Sequence, residues 1–168
     1  THTATINWGD GTATESGTVA EAPFGPPGST AGADGTVSGS HVYADNGVFT
    51  VTVCVKDDDL ATTCDTLDVT VSNIAPTVNA GVDQAGSEGS TVSLAPATFN
   101  DKGTLDTHTA TINWGDGTTT ESGTVAEAPF GPPGSTAGGN GTVSGSHVYA
   151  DNGVFTVTVC VKDDDLAT

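Results

Sequence analysis

The sequence predicts an all-β protein built as an antiparallel β-sandwich. Several segments alternate apolar and polar residues with a period of two, and Gly/Asp turn signals separate them at short intervals. No segment shows the 3.6-residue apolar period of an amphipathic helix. Short strands with regularly spaced turns are typical of a sandwich.

The strands themselves are predicted from β-branched and aromatic residues at alternate positions. Val48–Lys56 reads VFTVTVCVK, Thr66–Ser72 reads TLDVTVS, and Thr109–Trp114 follows the same alternation. A weaker strand is expected at Thr77–Ala80. The residues expected on the buried faces are Phe49, Val51, Val53, Val55, Leu67, Val69, Val71, Ala110, Ile112 and Trp114.

One long segment does not read as a strand. Pro23–Asp34 (PFGPPGSTAGAD) is rich in Pro, Gly and Ser, and it recurs at 129–140. We expect a surface loop that joins two strands at a sheet edge, with Phe24 folding back onto the sandwich. The alternative is a loop that grips a ligand.

An internal repeat sets the unit of folding. Residues 1–62 recur as residues 107–168 at an offset of 106, with differences only at Ala13, Ala33 and Asp34. A period of 106 residues is the size of a whole domain, so the chain is predicted to contain tandem domains.

The boundary between the units is predicted near Pro76. Residues 1–74 then form a partial domain without its first two strands, and residues 75–168 form a nearly complete domain without its last strand. The linker of about three residues is too short for free domain motion, so neighbouring units should be held in a fixed relation.

The net charge of −18, with three lysines and no arginine, limits the partners of this chain. DNA, RNA and anionic membrane surfaces would repel it, and no apolar run is long enough for membrane insertion. Cations are the expected partners. Disorder and adaptation to high salt are alternative explanations of the acidity.

Two sets of motifs resemble the PKD (polycystic kidney disease) domain family. The first copy carries Trp8-Gly9-Asp10-Gly11, His41-Val42-Tyr43, Gly47-Val48-Phe49 and Asp57-Asp58-Asp59, and the second copy repeats them from Trp114 to Asp165. The resemblance covers essentially the whole chain. It implies immunoglobulin-like β-sandwiches in tandem within a large secreted or cell-surface protein, notably a bacterial one.

The aromatic and histidine residues of these motifs are expected to be structural. Trp8 and Trp114 suit the core of a sandwich, and Tyr43 and Tyr149 would brace a corner before a strand. His41 and His147 are metal or catalytic candidates by residue type alone. No cluster of ligating residues surrounds them in the sequence, so a structural role is favoured.

The strongest chemical signal is a run of aspartates. In an immunoglobulin-like sandwich the incoming chain, the BC loop (100–106) and the FG loop share one pole, and relatives with calcium sites use Asn and Asp from these segments. The corresponding Ca²⁺ ligands here are Asn73, Asp101, Asp106, Asp163, Asp164 and Asp165, with a partial copy at Asp57, Asp58 and Asp59. The alternative is a solvated acidic hairpin tip.

The cysteines predict a disulfide and a location. Cys54 and Cys64 are symmetric about Asp59, and pairing the strands on that centre sets Cys54 opposite Cys64 on the outer face. The same register opposes Phe49 to Val69 and Val51 to Leu67. A disulfide implies an oxidising setting, so an extracellular or cell-surface location is expected. Cys160 is the copy of Cys54.

No nucleophile–base pair, phosphate-binding loop or hydrolase motif is present, so an enzyme is not predicted. The preferred hypothesis is a structural module of a stalk, adhesin shaft or filament, with calcium-stiffened joints. Its partners would be neighbouring copies of the domain, including a homopolymer formed by strand exchange. The alternative is an accessory module that binds a polysaccharide or protein substrate for a secreted hydrolase.

Overall fold

In a computed structural model, the structure describes residues 1–22, 25–128 and 130–165. All regular secondary structure in these residues is β-strand, and every strand pair is antiparallel. The all-β prediction is confirmed. The described part of the chain contains no helix with the length and apolar character of a membrane span.

The first compact unit comprises Thr1–Val42 and Gly47–Val71. It holds one five-stranded sheet in the order β3-β2-β1-β4-β5. Its strands are β1 (His2–Asn7), β2 (Glu15–Glu21), β3 (Gly35–Ser38), β4 (Gly47–Asp57) and β5 (Thr62–Val71).

The β4–β5 hairpin has the predicted register. Phe49 faces Val69, Val51 faces Leu67, and Cys54 faces Cys64 in the ladder. A disulfide joins Cys54 to Cys64, as expected. Leu67 was predicted to be buried but is 54% exposed, because β5 is the edge strand of this sheet.

The second compact unit comprises Tyr43–Asn46 and Ser72–Thr168. Its antiparallel sheets form a sandwich-like fold, with one sheet in the order β13-β9-β10-β11-β8-β6 and a second sheet of β12 and β7. The strands are β6 (Thr77–Asn79), β7 (Thr91–Ser93), β8 (Ala97–Asp101), β9 (Thr109–Asn113), β10 (Glu121–Glu127), β11 (Gly139–Ser144), β12 (Ser146–Val148) and β13 (Thr158–Lys162).

The core of the second unit is built around Trp114. Ala110, Ile112 and Trp114 are buried together, as the alternation in this segment predicts. The hydroxyl of Tyr149 donates to the carbonyl oxygen of Trp114 at 3.1 Å, and its ring stacks on Phe155. This bond holds the segment just after β12 to the end of β9.

The two copies of the repeat have the same sequence but different strand partners. In the second unit β11 pairs with β10 and β8, and Val143 of β11 is 0% exposed. In the first unit β3 pairs only with β2 among the described residues, and its Val37 is only half-buried. Burial of this valine therefore depends on a strand equivalent to β8.

The Pro/Gly-rich loop of the second copy is shorter than predicted. β11 begins at Gly139, two residues inside the expected loop, because this end of the strand pairs with β8. The prediction that Phe24 folds back lies outside the described residues, and its copy Phe130 is exposed.

Candidate cation site

Three segments of the second unit bring the candidate ligands together. Asp101 is the last residue of β8, Asp163 follows the end of β13, and Asn73 precedes β6. The Nδ2 of Asn73 donates to Oδ2 of Asp163 at 2.9 Å, across 90 residues of sequence. The strand ends position these side chains, as expected if the loops share one pole of the sandwich.

The two inner carboxylates are buried. Asp101 is 2% exposed and Asp163 is 3% exposed. Carboxylate oxygens of Asp101, Asp106 and Asp163 all lie within 4.8 Å of one another. Buried like charges at this separation are unfavourable unless a cation or protons compensate them.

Asp106 is the least satisfied member of the cluster. Its Oδ2 is fully buried without a hydrogen-bond partner, and a Cβ at position 103 would displace its carboxyl group. Burial raises the pKa of Asp106 to about 7, and nearby negative charges add to the effect: Asp101, Asp45, Asp164 and Asp165.

The three aspartates after β13 have different surroundings. Asp163 lies with Asp101 and Asp106, whereas Asp165 lies in a second close group with Asp106 and Asp45. Asp164 instead accepts a hydrogen bond from the backbone N–H of Thr107 at 3.0 Å. The first and third aspartates of the run therefore each lie in a carboxylate group, and the second does not.

His108 belongs to the site but was not predicted from the sequence. Its Nε2 is hydrogen-bonded with Oδ2 of Asp101 at 2.9 Å and its Nδ1 with Oε2 of Glu127 at 2.6 Å. Burial alone lowers the pKa of His108, but these hydrogen bonds and charges outweigh it and raise the pKa. The sequence does contain a signal for it. His108 lies two residues before Ala110, so period-two alternation places both side chains on the same, buried face of the strand.

The partial copy of the site in the first unit is not assembled in the same way. Oδ1 of Asp57 accepts a hydrogen bond from the backbone N–H of Ala61. Oδ1 of Asp58 lies 3.5 Å from the amino group of Thr1. None of the close groups of three ligating residues found in the described chain includes Asp57, Asp58 or Asp59.

The motif histidines hold the Gly-Asp-Gly turns against the tryptophans. His147 stacks on Trp114, and its Nε2 lies 2.8 Å from Oδ2 of Asp116. Hydrogen bonds from Thr118 and His147 lower the pKa of Asp116 to about 2. The first copy repeats the arrangement with Trp8, Asp10 and His41. These contacts give both histidines a structural role.

A groove lies on the second unit and adjoins the cavity that Asp101 and Asp106 line, since both include Phe99 and Glu127. Its volume is about 890 Å³, and it runs across β6, β8, β11 and the end of β10. Half of its lining residues are Thr or Asn: Thr77, Asn79, Thr98, Asn100, Asn140 and Thr142.

Comparison with known proteins identifies a family. A family model described as the PKD domain matches residues 73–168, which is more than half of the chain. The match includes the linker Asn73, all of the acidic cluster except Asp45, and the second copy of the repeat. Neither a curated protein nor a solved structure shows significant similarity to the chain.

Proposed function

The chain belongs to the PKD domain family, and from this premise we propose that it is a structural module of an extracellular tandem-repeat protein. In this role it forms part of a stalk, an adhesin shaft or a filament, and Ca²⁺ stiffens the joint before each unit. PKD domains are generally non-catalytic extracellular modules, and the Cys54–Cys64 disulfide is consistent with an extracellular location.

The observation that carries the calcium proposal is the orphaned Oδ2 of Asp106. A buried carboxylate oxygen without a donor is costly, and it lies beside the carboxylates of Asp101 and Asp163. Ca²⁺ prefers six to eight hard oxygen ligands. Asn73, Asp101, Asp106 and Asp163 would supply oxygens to one ion, and backbone carbonyls or water would complete its shell.

A bound cation would act on stability and stiffness. It would neutralise the buried carboxylates and hold the segment at Asn73 to the end of β13, where one hydrogen bond already joins them. Extracellular modules bind Ca²⁺ with dissociation constants of about 10⁻⁴ to 10⁻³ M. Calcium in an extracellular fluid would therefore load such a site.

The test is thermal unfolding of the full chain in EDTA and in excess Ca²⁺. At 100 times the dissociation constant, binding stabilises by about 2.7 kcal/mol, or roughly 10 °C for a domain of this size. Asp163→Asn should strongly reduce the Ca²⁺-dependent increase in Tm. Asp57→Asn changes the equivalent residue of the first copy and should retain it.

Equal melting temperatures in EDTA and in millimolar Ca²⁺ would refute the proposal. So would an increase that Asp163→Asn leaves undiminished, because the cation would then not bind at this cluster. Mg²⁺ at the same ionic strength controls for screening of the net charge.

A second candidate function is favoured by the groove on β6, β8 and β11, which combines apolar surface with Thr and Asn side chains. Its Thr and Asn side chains offer donors and acceptors to a polysaccharide or an extended peptide. Retention of the chain on an insoluble polysaccharide or on collagen, lost with Thr98→Arg, would support this binding module. Absence of retention on both materials favours the structural module.

A further inference from the structure

Three buried oxygens without hydrogen-bond partners lie in two neighbouring segments, residues 43–46 and the loop of residues 102–106. Among the described residues, the only buried side-chain nitrogen or oxygen atoms without a partner are Oδ1 of Asn46, Oγ1 of Thr104 and Oδ2 of Asp106. Thr104 is only 6% exposed and lines the same cavity as Asp101 and Asp106. Because buried polar atoms normally have hydrogen-bond partners, the three unpaired oxygens in these two segments indicate that an electropositive partner is missing there.

A backbone hydrogen bond brings these two segments together. The N–H of Leu105 donates to the carbonyl oxygen of Ala44 at 3.0 Å. This contact sets the 43–46 segment beside the 102–106 loop within the second unit. It brings Asp45 close to Asp106, although the two residues are far apart in the sequence.

Asp45 lies in a second carboxylate group, distinct from the one proposed above. Oxygens of Asp45, Asp106 and Asp165 lie within 4.8 Å of one another. One oxygen of Asp45 accepts from the N–H of Asn46 at 2.7 Å, which leaves its remaining capacity for another ligand. Only Asp106 is common to both groups.

The lysine of this loop does not neutralise the second group. Nζ of Lys102 donates to the carbonyl oxygens of Thr136 at 2.9 Å and Ala137 at 3.2 Å. His108 is held by Asp101 and Glu127, on the side of the first group.

We propose that a second Ca²⁺ ion binds between Asp45, Asp106 and Asp165 and fastens the 43–46 segment to the 102–106 loop. The proposal rests on the first calcium site, with which it shares Asp106, because a carboxylate can ligate two ions through its two oxygens. Oγ1 of Thr104 and Oδ1 of Asn46, buried without hydrogen-bond partners in the same two segments, would be its neutral ligands.

The test counts the bound ions in the full chain by Ca²⁺ titration calorimetry and native mass spectrometry. The unchanged protein should bind two equivalents, and Asp45→Asn and Asp165→Asn should each bind one. Asp151→Asn is the matched control, because Asp151 is the copy of Asp45 and lies outside both groups. It should bind two.

Hydrogen exchange supplies a second measurement at the amide of Leu105. Saturating Ca²⁺ should slow its exchange at least tenfold in the unchanged protein and in Asp151→Asn, and much less in Asp45→Asn. The residual Ca²⁺-dependent increase in Tm of Asp45→Asn reports that the variant is folded and that the first site is intact.

Each other outcome refutes a different part of the two-ion proposal. One equivalent in both the unchanged protein and Asp45→Asn refutes the second ion and leaves the proposed function standing. Two equivalents in Asp45→Asn refute the ligand assignment. No binding by any form refutes the proposed function with it, and loss of both ions in Asp45→Asn and Asp165→Asn refutes two separable sites.

Discussion

Asp106 shows how a single buried carboxyl group can oppose the folded state. Its pKa rises from 3.8 to about 7, because burial and four neighbouring aspartates disfavour its charge. Between these pH values the folded protein binds a proton that the unfolded chain does not. Stability of the cation-free protein must therefore fall as the pH rises through this window.

We predict that the free energy of unfolding in EDTA decreases between pH 4 and pH 7. Asp106→Asn should weaken this dependence and stabilise the cation-free protein at pH 8 by about 1 to 2 kcal/mol, after allowance for solvent screening. Urea unfolding at several pH values measures both effects. Asp151→Asn, which changes a carboxylate outside both groups and not among the charges that act on Asp106, is the comparison. A destabilising Asp106→Asn in EDTA would contradict the prediction.

At the scale of elements, two copies of one sequence form strands of different length. β4 has 11 residues and its copy β13 has 5, although the segments are identical in sequence. β4 pairs with β1 on one side and β5 on the other, whereas β13 pairs only with β9 among the described strands. Strand length here follows pairing rather than local propensity.

The same comparison predicts unequal costs for one substitution. Val143→Ala should destabilise the second unit by about 2 kcal/mol, because it empties a fully buried site. Val37→Ala, at the equivalent position, should cost less than about 1 kcal/mol. Urea unfolding followed by Trp fluorescence can separate the units, using Trp8→Phe to leave Trp114 as reporter and Trp114→Phe for the reverse. Equal costs would show that β8 does not determine the burial of this valine.

At the scale of the whole molecule, β3 bears on assembly, because it pairs only with β2 among the described strands. β3 (GTVS) has the same sequence as residues 141–144 of β11, of which 141–143 pair with β8, so it offers β8 a second acceptor. An open strand edge is a template for pairing with another chain. We therefore propose strand exchange between copies, with β8 as the donor strand and β3 as the acceptor strand.

We predict that refolding at high concentration yields dimers in which β8 of one chain pairs with β3 of another. Light scattering after size-exclusion chromatography measures the dimer fraction. Val37→Lys should reduce it, because a charge then occupies the position equivalent to Val143, which is buried and paired with Ala97 of β8. Thr36→Lys, on the opposite strand face, is the control. A monomer at all concentrations, or equal dimer fractions in both variants, would count against exchange.

The sequence predicted much of the fold because the relevant signals are local. Period-two alternation located β4, β5 and β9, and the symmetry of Cys54 and Cys64 predicted the register of their hairpin. The extent of β13 was not predictable, because it depends on a partner strand. The Asp run was recognised, but which members reach the clusters depends on the turn after β13.

The sequence by itself determined the all-β class, the repeat, the family motifs and the disulfide, since each depends on residue spacing within one copy. Only the tertiary structure decided that Asp101 and Asp163 are buried, that Oδ2 of Asp106 lacks a partner, and that Asp45 and His108 join the cluster. These proximities join residues as far apart as Asn73 and Asp163. Sheet packing and loop contacts create them, and no local pattern records which distant loops will meet.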